Sequence, residues 1–173
     1  GSKFHLKKKD ILIEKGIIKE IKDTITARSA KEISEKDLYV SLGWADLKAN
    51  FCDPGFEHKG TVTLGLQAAE AGGYTHVAVL PSTQPVVDGK SQIEYLLKKA
   101  EGSICEIHPI GSITEGMKGE NLSEMYDMYQ TGSRLFSDDL VPVNSGIMYR
   151  ALLYSKNFGG RVIAFSRNQF VSG

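Results

Sequence analysis

Residues 68–86 read Ala68-Ala69-Glu70-Ala71-Gly72-Gly73-Tyr74-Thr75-His76-Val77-Ala78-Val79-Leu80-Pro81-Ser82-Thr83-Gln84-Pro85-Val86. The stretch holds the end of a helix that starts near Gly60, a double-glycine stop, a buried strand over His76-Val77-Ala78-Val79-Leu80, and a proline that ends it. A strand fed by a helix is half of a βαβ unit, and the same order recurs downstream. Gln92 to Ala100 is helical, with apolar Ile93, Leu96 and Leu97, and Glu106 to Ile110 is a strand. Asn121 to Thr131 predicts a helix with Leu122, Met125 and Met128 on one face and Asn121 or Ser123 as its cap. A short strand at Arg134-Leu135-Phe136 follows, then a helix from Ser145 to Asn157 stopped by Gly159-Gly160, and a strand from Arg161 to Phe165. Upstream, Leu38 to Trp44 reads as the first strand of the series. Further upstream, Asp10 to Ile21 has two Ile-rich runs around Glu14-Lys15-Gly16, the pattern of a hairpin.

About five strands alternating with four helices imply parallel βαβ units and an α/β fold. Periodicity alone is compatible with a doubly wound sheet or with part of a barrel. At 173 residues the chain is too short for a complete TIM barrel, which takes about 250. Lys and Arg number 21 against 21 Asp and Glu, which removes the electrostatic argument for nucleic acid or an anionic membrane as partner. No apolar run approaches the roughly 18 residues of a membrane span. A hydrophobic fraction of 41% argues against disorder. Cys52 and Cys105 stand too far apart for a zinc knuckle, and reduced thiols in a cytoplasmic protein are the expected state. The opening Gly1-Ser2-Lys3-Phe4-His5 has no signal core and no initiator Met, so it reads as a tag remnant or the interior of a longer chain.

In either α/β architecture, function lies beyond the C-terminal ends of the strands. Those ends carry residues 46–55, 81–88, 111–116, 137–143 and 165–168. None contains G-x-G-x-x-G, a P-loop or G-x-S-x-G, so phosphate cradles and a nucleophile elbow are unsupported.

The same segments resemble the dihydroorotases of the amidohydrolase superfamily. Gly43-Trp44-Ala45-Asp46 with Asp53-Pro54-Gly55-Phe56-Glu57-His58-Lys59 is similar to the first barrel strand and its loop. Gly72-Gly73-Tyr74-Thr75 with Leu80-Pro81-Ser82-Thr83-Gln84-Pro85-Val86 resembles the second unit. His108-Pro109-Ile110-Gly111-Ser112-Ile113-Thr114 resembles the third, and Phe136-Ser137-Asp138-Asp139 with Pro142-Val143 the fourth. The resemblance runs through nearly the whole chain. It implies the N-terminal part of a TIM (β/α)8 barrel, about five of eight units over residues 38–173, preceded by part of a small β domain over residues 1–37.

Members of this family carry His-x-His on the first strand, since residues two apart share a face and hold one zinc together, and an Arg two positions on that forks onto the substrate carboxylate. Here those positions are Lys48, Asn50 and Cys52. The family's substrate Asn is replaced by Ser82, and its fifth-strand His by Phe165. Of the metal-binding set, the bridging aspartate alone is retained, as Asp139 or Asp138, with Leu140 where a Gly normally follows. One carboxylate does not hold a catalytic zinc, which needs three protein ligands. Lys48 suggests a replacement: an ammonium near Asp138 or Asp139 would supply the lost metal's positive charge.

The remaining residues have structural readings. His5, His58, His76 and His108 are expected in surface or structural roles, His5 and His76 having no partner at ligand spacing. Cys52 reads as a small side chain rather than a reactive thiol. Asp138-Asp139 could form an acid/base pair, but adjacent strand residues point apart, so one carboxylate is expected on the backbone of the following turn. Asp46 is expected to anchor its strand end, and Lys7-Lys8-Lys9 to be a solvated face.

The resemblance therefore implies a cytoplasmic dihydroorotase homologue of the pyrimidine pathway, without zinc or other cofactor and without hydrolytic activity. Its expected partners are aspartate carbamoyltransferase, for which it would be a scaffold, the remainder of its own barrel, and further copies of itself. The alternative is a working cyclic amidohydrolase that hydrolyses dihydroorotate to carbamoyl-aspartate with zinc held by atypical ligands.

Overall fold

A computed structural model describes residues 2–167. They fall into two compact units that divide between Ser41 and Leu42. The first contains the expected hairpin, β1 (Asp10–Glu14) and β2 (Ile17–Lys22), paired antiparallel with Glu14 opposite Ile17. Its turn residues Lys15 and Gly16 both have positive φ, 50° and 75°, which is the turn whose twist matches two right-twisted strands. Asp10 Oδ2 accepts a hydrogen bond from Ile25 N, and Lys9 pairs with Asp23.

The second unit is a five-stranded parallel sheet: β3 (Trp44–Ala49), β4 (Tyr74–Val79), β5 (Glu106–Gly111), β6 (Leu135–Phe136) and β7 (Arg161–Val162). Four helices connect them: α1 (Val62–Ala71), α2 (Lys90–Lys99), α3 (Met125–Thr131) and α4 (Ser145–Lys156). Spatial order follows chain order, β3-β4-β5-β6-β7. A doubly wound sheet reverses its order at a switch point, whereas a barrel adds each strand on the same side. The unreversed order therefore decides the alternative that periodicity left open, in favour of a partial barrel.

Strand alternation separates the two faces of this sheet. Val77, Val79, Ile107 and Phe136 join Val62, Leu66, Ile93, Leu96, Met125, Met128 and Ala151 in the main core under the helices. Ala78, Leu80 and Ile110, with Leu135 packed against them, form a smaller cluster on the other face. Leu96 is fully buried, and its removal from water stabilises the unit by about 1.5–3 kcal/mol. Thr61 Oγ1 caps α1 by accepting from Leu64 N, and Asn144 Oδ1 caps α4 by accepting from Gly146 N.

Three element boundaries differ from expectation by more than two residues, each set by the backbone partners that neighbouring segments offer. The first strand begins at Trp44 rather than Leu38. Trp44 N donates to Gly73 O and β4 begins at Tyr74, so the parallel pairing of β3 with β4 starts at Trp44. Asp46 consequently lies within β3, where Oδ1 accepts from Lys48 N. The third helix begins at Met125 rather than Asn121. Asn121 O accepts from Glu115 N, Leu122 bridges Thr114, and Ser123 N donates to Ile113 O, which ties residues 121–123 to the loop after β5. Neither Asn121 nor Ser123 is its cap; Glu124 occupies that position without a side-chain bond. The last strand ends at Val162 rather than Phe165, because β6 offers it only Leu135 and Phe136. Residues 166–167 lie beyond it, and the expected segment 165–168 extends past the described residues at 168.

Two close approaches set the loops at the C-terminal edge. Gln84 N donates to Pro54 O, joining the loops after β3 and β4. Gly55 sits in that contact with φ of 94°, and a Cβ there would lie 2.1 Å from Gln84 O, so both conformation and space require glycine. Behind it, buried Asp53 accepts from Val62 N through Oδ2 and from the Tyr95 hydroxyl through Oδ1 at 2.6 Å, tying the loop to α1 and α2. That bond, with burial adding to it, pushes the Tyr95 hydroxyl up to about 12.

Candidate functional site

At the C-terminal ends of the strands, on the face opposite the helices, lies a cavity of about 90 Å³. Lys48, Leu80, Ile110, Ser137, Asp139 and Phe165 are among the residues that line it. Ligand pockets commonly measure about 300–1,000 Å³, so this one is small. Ala49 packs toward the helices, and the alternation of β3 turns Lys48 to the cavity side.

Lys48 Nζ lies 3.1 Å from Asp139 Oδ1. The two side chains differ in exposure, 54% for Lys48 and 14% for Asp139, so the carboxylate is the more desolvated partner. The approach is an ion pair by distance but lies off the hydrogen-bonding directions, and Oδ1 is buried without a hydrogen-bond donor. Its sister oxygen, Oδ2, accepts from Ser82 Oγ at 3.0 Å, and Asp139 N donates to Ser137 Oγ. Asp139 has φ of 51°, a left-handed conformation that aspartate tolerates better than most residues.

The neighbouring carboxylate does something else. Asp138 is buried and accepts from Ile113 N at 2.7 Å, Thr114 N at 3.0 Å and the Thr114 hydroxyl. Burial raises its carboxyl above the usual carboxylate range, against the lowering influence of those three bonds. Asp138 thus pins the loop after β5 to the end of β6, not the turn that follows it, and the two aspartates do not form an acid/base pair. Of the positions singled out from the sequence, the structure brings Lys48, Asp139 and Phe165 to one cavity, with Ser82 bonded to Asp139 beside it. Asn50 and Cys52 instead form a local turn, in which Asn50 Oδ1 accepts from Cys52 N and Cys52 has φ of 63°.

A zinc ion needs converging lone pairs. An ammonium offers only donors, Phe165 offers nothing, and the Asn50 oxygen is engaged in its own turn. Among the described residues that line this cavity, Asp139 supplies the only carboxylate, and its buried, unbonded oxygen faces a cation. The described residues at these strand ends do not fit a zinc centre.

Sequence spacing missed a different group. His76 on β4 and Glu106 and His108 on β5 bring their ligand atoms within 4.8 Å of one another near the opposite, N-terminal end of the sheet. His76 was expected to stand without a partner; the register of β4 on β5 supplies two, because it pairs His76 with Glu106 and Ala78 with His108. The available signal was a His or Glu at alternate positions of two strands, which means nothing until their pairing is known.

The sequence model of the family described as "Dihydro-orotase-like" matches residues 39–168. The dihydroorotase of Geobacter metallireducens is 43% identical over 168 residues, covering 95% of this chain and 39% of that protein. The dihydroorotase of Trichlorobacter lovleyi is 40% identical over 159 residues, covering 90% and 37%, and that of Syntrophotalea carbinolica is 39% identical over 166 residues, covering 95% and 39%. The chain therefore spans about two fifths of the length of the curated relatives it matches. Among solved structures, an L-hydantoinase (dihydropyrimidinase) from Arthrobacter aurescens superposes with a TM-score of 0.71 at 18% identity, covering 94% of this chain and 38% of that one. That likeness establishes the fold, a five-stranded parallel part of a barrel.

Proposed function

Because the chain belongs to the dihydroorotase-like family, we propose that it is a dihydroorotase homologue of de novo pyrimidine biosynthesis whose metal-dependent hydrolysis has been lost. The observation that carries this reading is the Lys48 ammonium 3.1 Å from the Asp139 carboxylate, where a cation held by protein imidazoles would be needed to activate water. A lysine in that place neutralises the buried carboxylate without offering a Lewis acid. The protein then persists as a cytoplasmic scaffold, with aspartate carbamoyltransferase as its partner. Trp44, Leu47 and Phe165 are exposed at 61%, 70% and 41%, apolar area suited to the remainder of the barrel, and the completed barrel associates with copies of itself. No described helix is long and apolar enough to cross a membrane.

The test is a dihydroorotate turnover assay on the full-length protein with and without added zinc, beside the Asp139→Asn variant, and sedimentation of the protein mixed with aspartate carbamoyltransferase. The reading expects no carbamoyl-aspartate under either condition and a co-sedimenting complex. Zinc-dependent turnover that Asp139→Asn abolishes would overturn the loss of hydrolysis and establish the working enzyme with atypical ligands. Separate sedimentation at micromolar concentrations would overturn the scaffold role.

A further inference from the structure

The trio His76, Glu106 and His108 lies away from the Lys48 cavity, toward the other end of the same strands. The strand rise of about 3.3 Å per residue places His76 roughly 10 Å along β4 from Val79, which pairs with Ala49 beside Lys48. Alternation puts all three side chains on the face away from the helices, since Val77 and Ile107 between them point into the main core. His76 Nδ1 is 3.1 Å from His108 Nε2, 3.4 Å separates His76 Nδ1 from Glu106 Oε2, and 3.9 Å separates His108 Nε2 from Glu106 Oε1. The two rings are tilted by 31° with centroids 5.3 Å apart, so their nitrogens converge without the planes stacking.

With one donor atom taken from each residue, the three lie within 4.8 Å of one another, and the shortest separations are already those of ligands around one ion. Zinc binds imidazole nitrogen and carboxylate oxygen at about 2.0–2.2 Å, and the edge of a tetrahedron of that radius is about 3.3 Å. Two imidazoles and a carboxylate suit zinc and its borderline neighbours, cobalt and nickel, and are a poor set for magnesium or calcium, which take oxygen ligands. The side chains are 50%, 64% and 39% exposed in the order His76, Glu106, His108, so an ion reaches them and a water can complete the fourth position.

We propose that His76, Glu106 and His108 form a three-ligand site for a divalent transition ion, zinc foremost, that clamps β4 to β5 near the N-terminal end of the sheet. The site is independent of the family's hydrolytic centre. An ion there sits too far from Lys48 and Asp139 to replace the metal at the strand C-termini.

Equilibrium dialysis of the chelator-stripped chain against zinc tests the proposal, with cobalt as a spectroscopic probe. One equivalent of zinc is expected to bind. His76→Gln and His108→Gln should each weaken it at least tenfold, Glu106→Gln should weaken it less, and Lys48→Ala should leave it unchanged. Cobalt should give a visible absorption of four-coordinate strength that His76→Gln/His108→Gln removes. Far-ultraviolet circular dichroism establishes that the variants remain folded, and zinc should raise the melting temperature of the native chain but not of the double variant. Absence of saturable zinc binding, or equal binding by the folded double variant, would overturn the site; in the second case the ion belongs to other donors such as His5, His58 or Cys52.

Discussion

Replacing Lys48 by Met removes the charge that faces Asp139 while keeping most of the side chain's apolar length. At 3.1 Å, two unit charges attract by about 1.3 kcal/mol in a dielectric of 80 and about 5 kcal/mol in one of 20. The half-exposed ammonium pulls the effective value toward the lower figure, and fixing a lysine costs side-chain entropy. Against that, Oδ1 of Asp139 accepts no hydrogen bond, so without Lys48 it is a buried anionic oxygen with no partner. Lys48→Met should therefore destabilise the chain by about 1–2 kcal/mol. Asp139→Asn alone should cost about 1 kcal/mol, since an amide oxygen still accepts from Ser82 Oγ. The double variant should lose less than the sum, with a coupling of about 1 kcal/mol. Urea unfolding of the four proteins reads these differences as shifts in the midpoint, and 1 M salt should shrink the coupling. A coupling below about 0.3 kcal/mol, or a Lys48→Met protein more stable than the native one, would refute the idea that lysine replaces the metal's charge.

Asp138 gives a pH signature. Its carboxyl titrates above the usual range when folded, so the folded chain holds that proton more tightly than the unfolded chain does. Its contribution is fully present below the ordinary value of 3.8 and is lost as pH rises through the folded value; the stability difference between native protein and Asp138→Asn, measured by urea unfolding across the acid range, should fall accordingly. Tyr95 behaves likewise at high pH. The stability tied to its proton is present below about 10 and is lost as pH rises through about 12, and absorbance titration of Tyr95→Phe should lack one late tyrosinate. The same substitution takes a donor from buried Asp53 and should cost about 1.5–3 kcal/mol at neutral pH. Gly55→Ala, which brings a Cβ onto Gln84 O at a positive φ, should lower stability by more than about 1 kcal/mol in the same urea assay.

Elements whose stability comes from their own side chains were legible in the sequence. The hairpin turn at Lys15-Gly16, the glycine stop after Ala71 and the buried run of β4 follow from local conformational preference and apolar period, and the structure has them within a residue or two. Elements that depend on a neighbour's backbone were not. Leu38, Tyr39 and Val40 have strand composition but lie in no strand among the described residues, and residues 121–123 have helical spacing but bond to the loop after β5. Met125 and Met128 are buried as the helical pattern requires, while Leu122 packs against the same core from a non-helical backbone.

At the site, residue identity alone set the expectation: Lys48, Asn50 and Phe165 stand where the resemblance implies imidazoles, and no fold gives a lone pair to an ammonium. Which aspartate faces Lys48 was beyond the sequence, because Asp138 and Asp139 are adjacent and chemically identical. Tertiary structure separates them, burying Asp138 on the amides of Ile113 and Thr114 and turning Asp139 toward Lys48. His76 and His108 make the same point. Side-chain chemistry is carried by each residue, whereas proximity is a property of strand register, and register is decided by pairing between segments that sequence spacing leaves far apart.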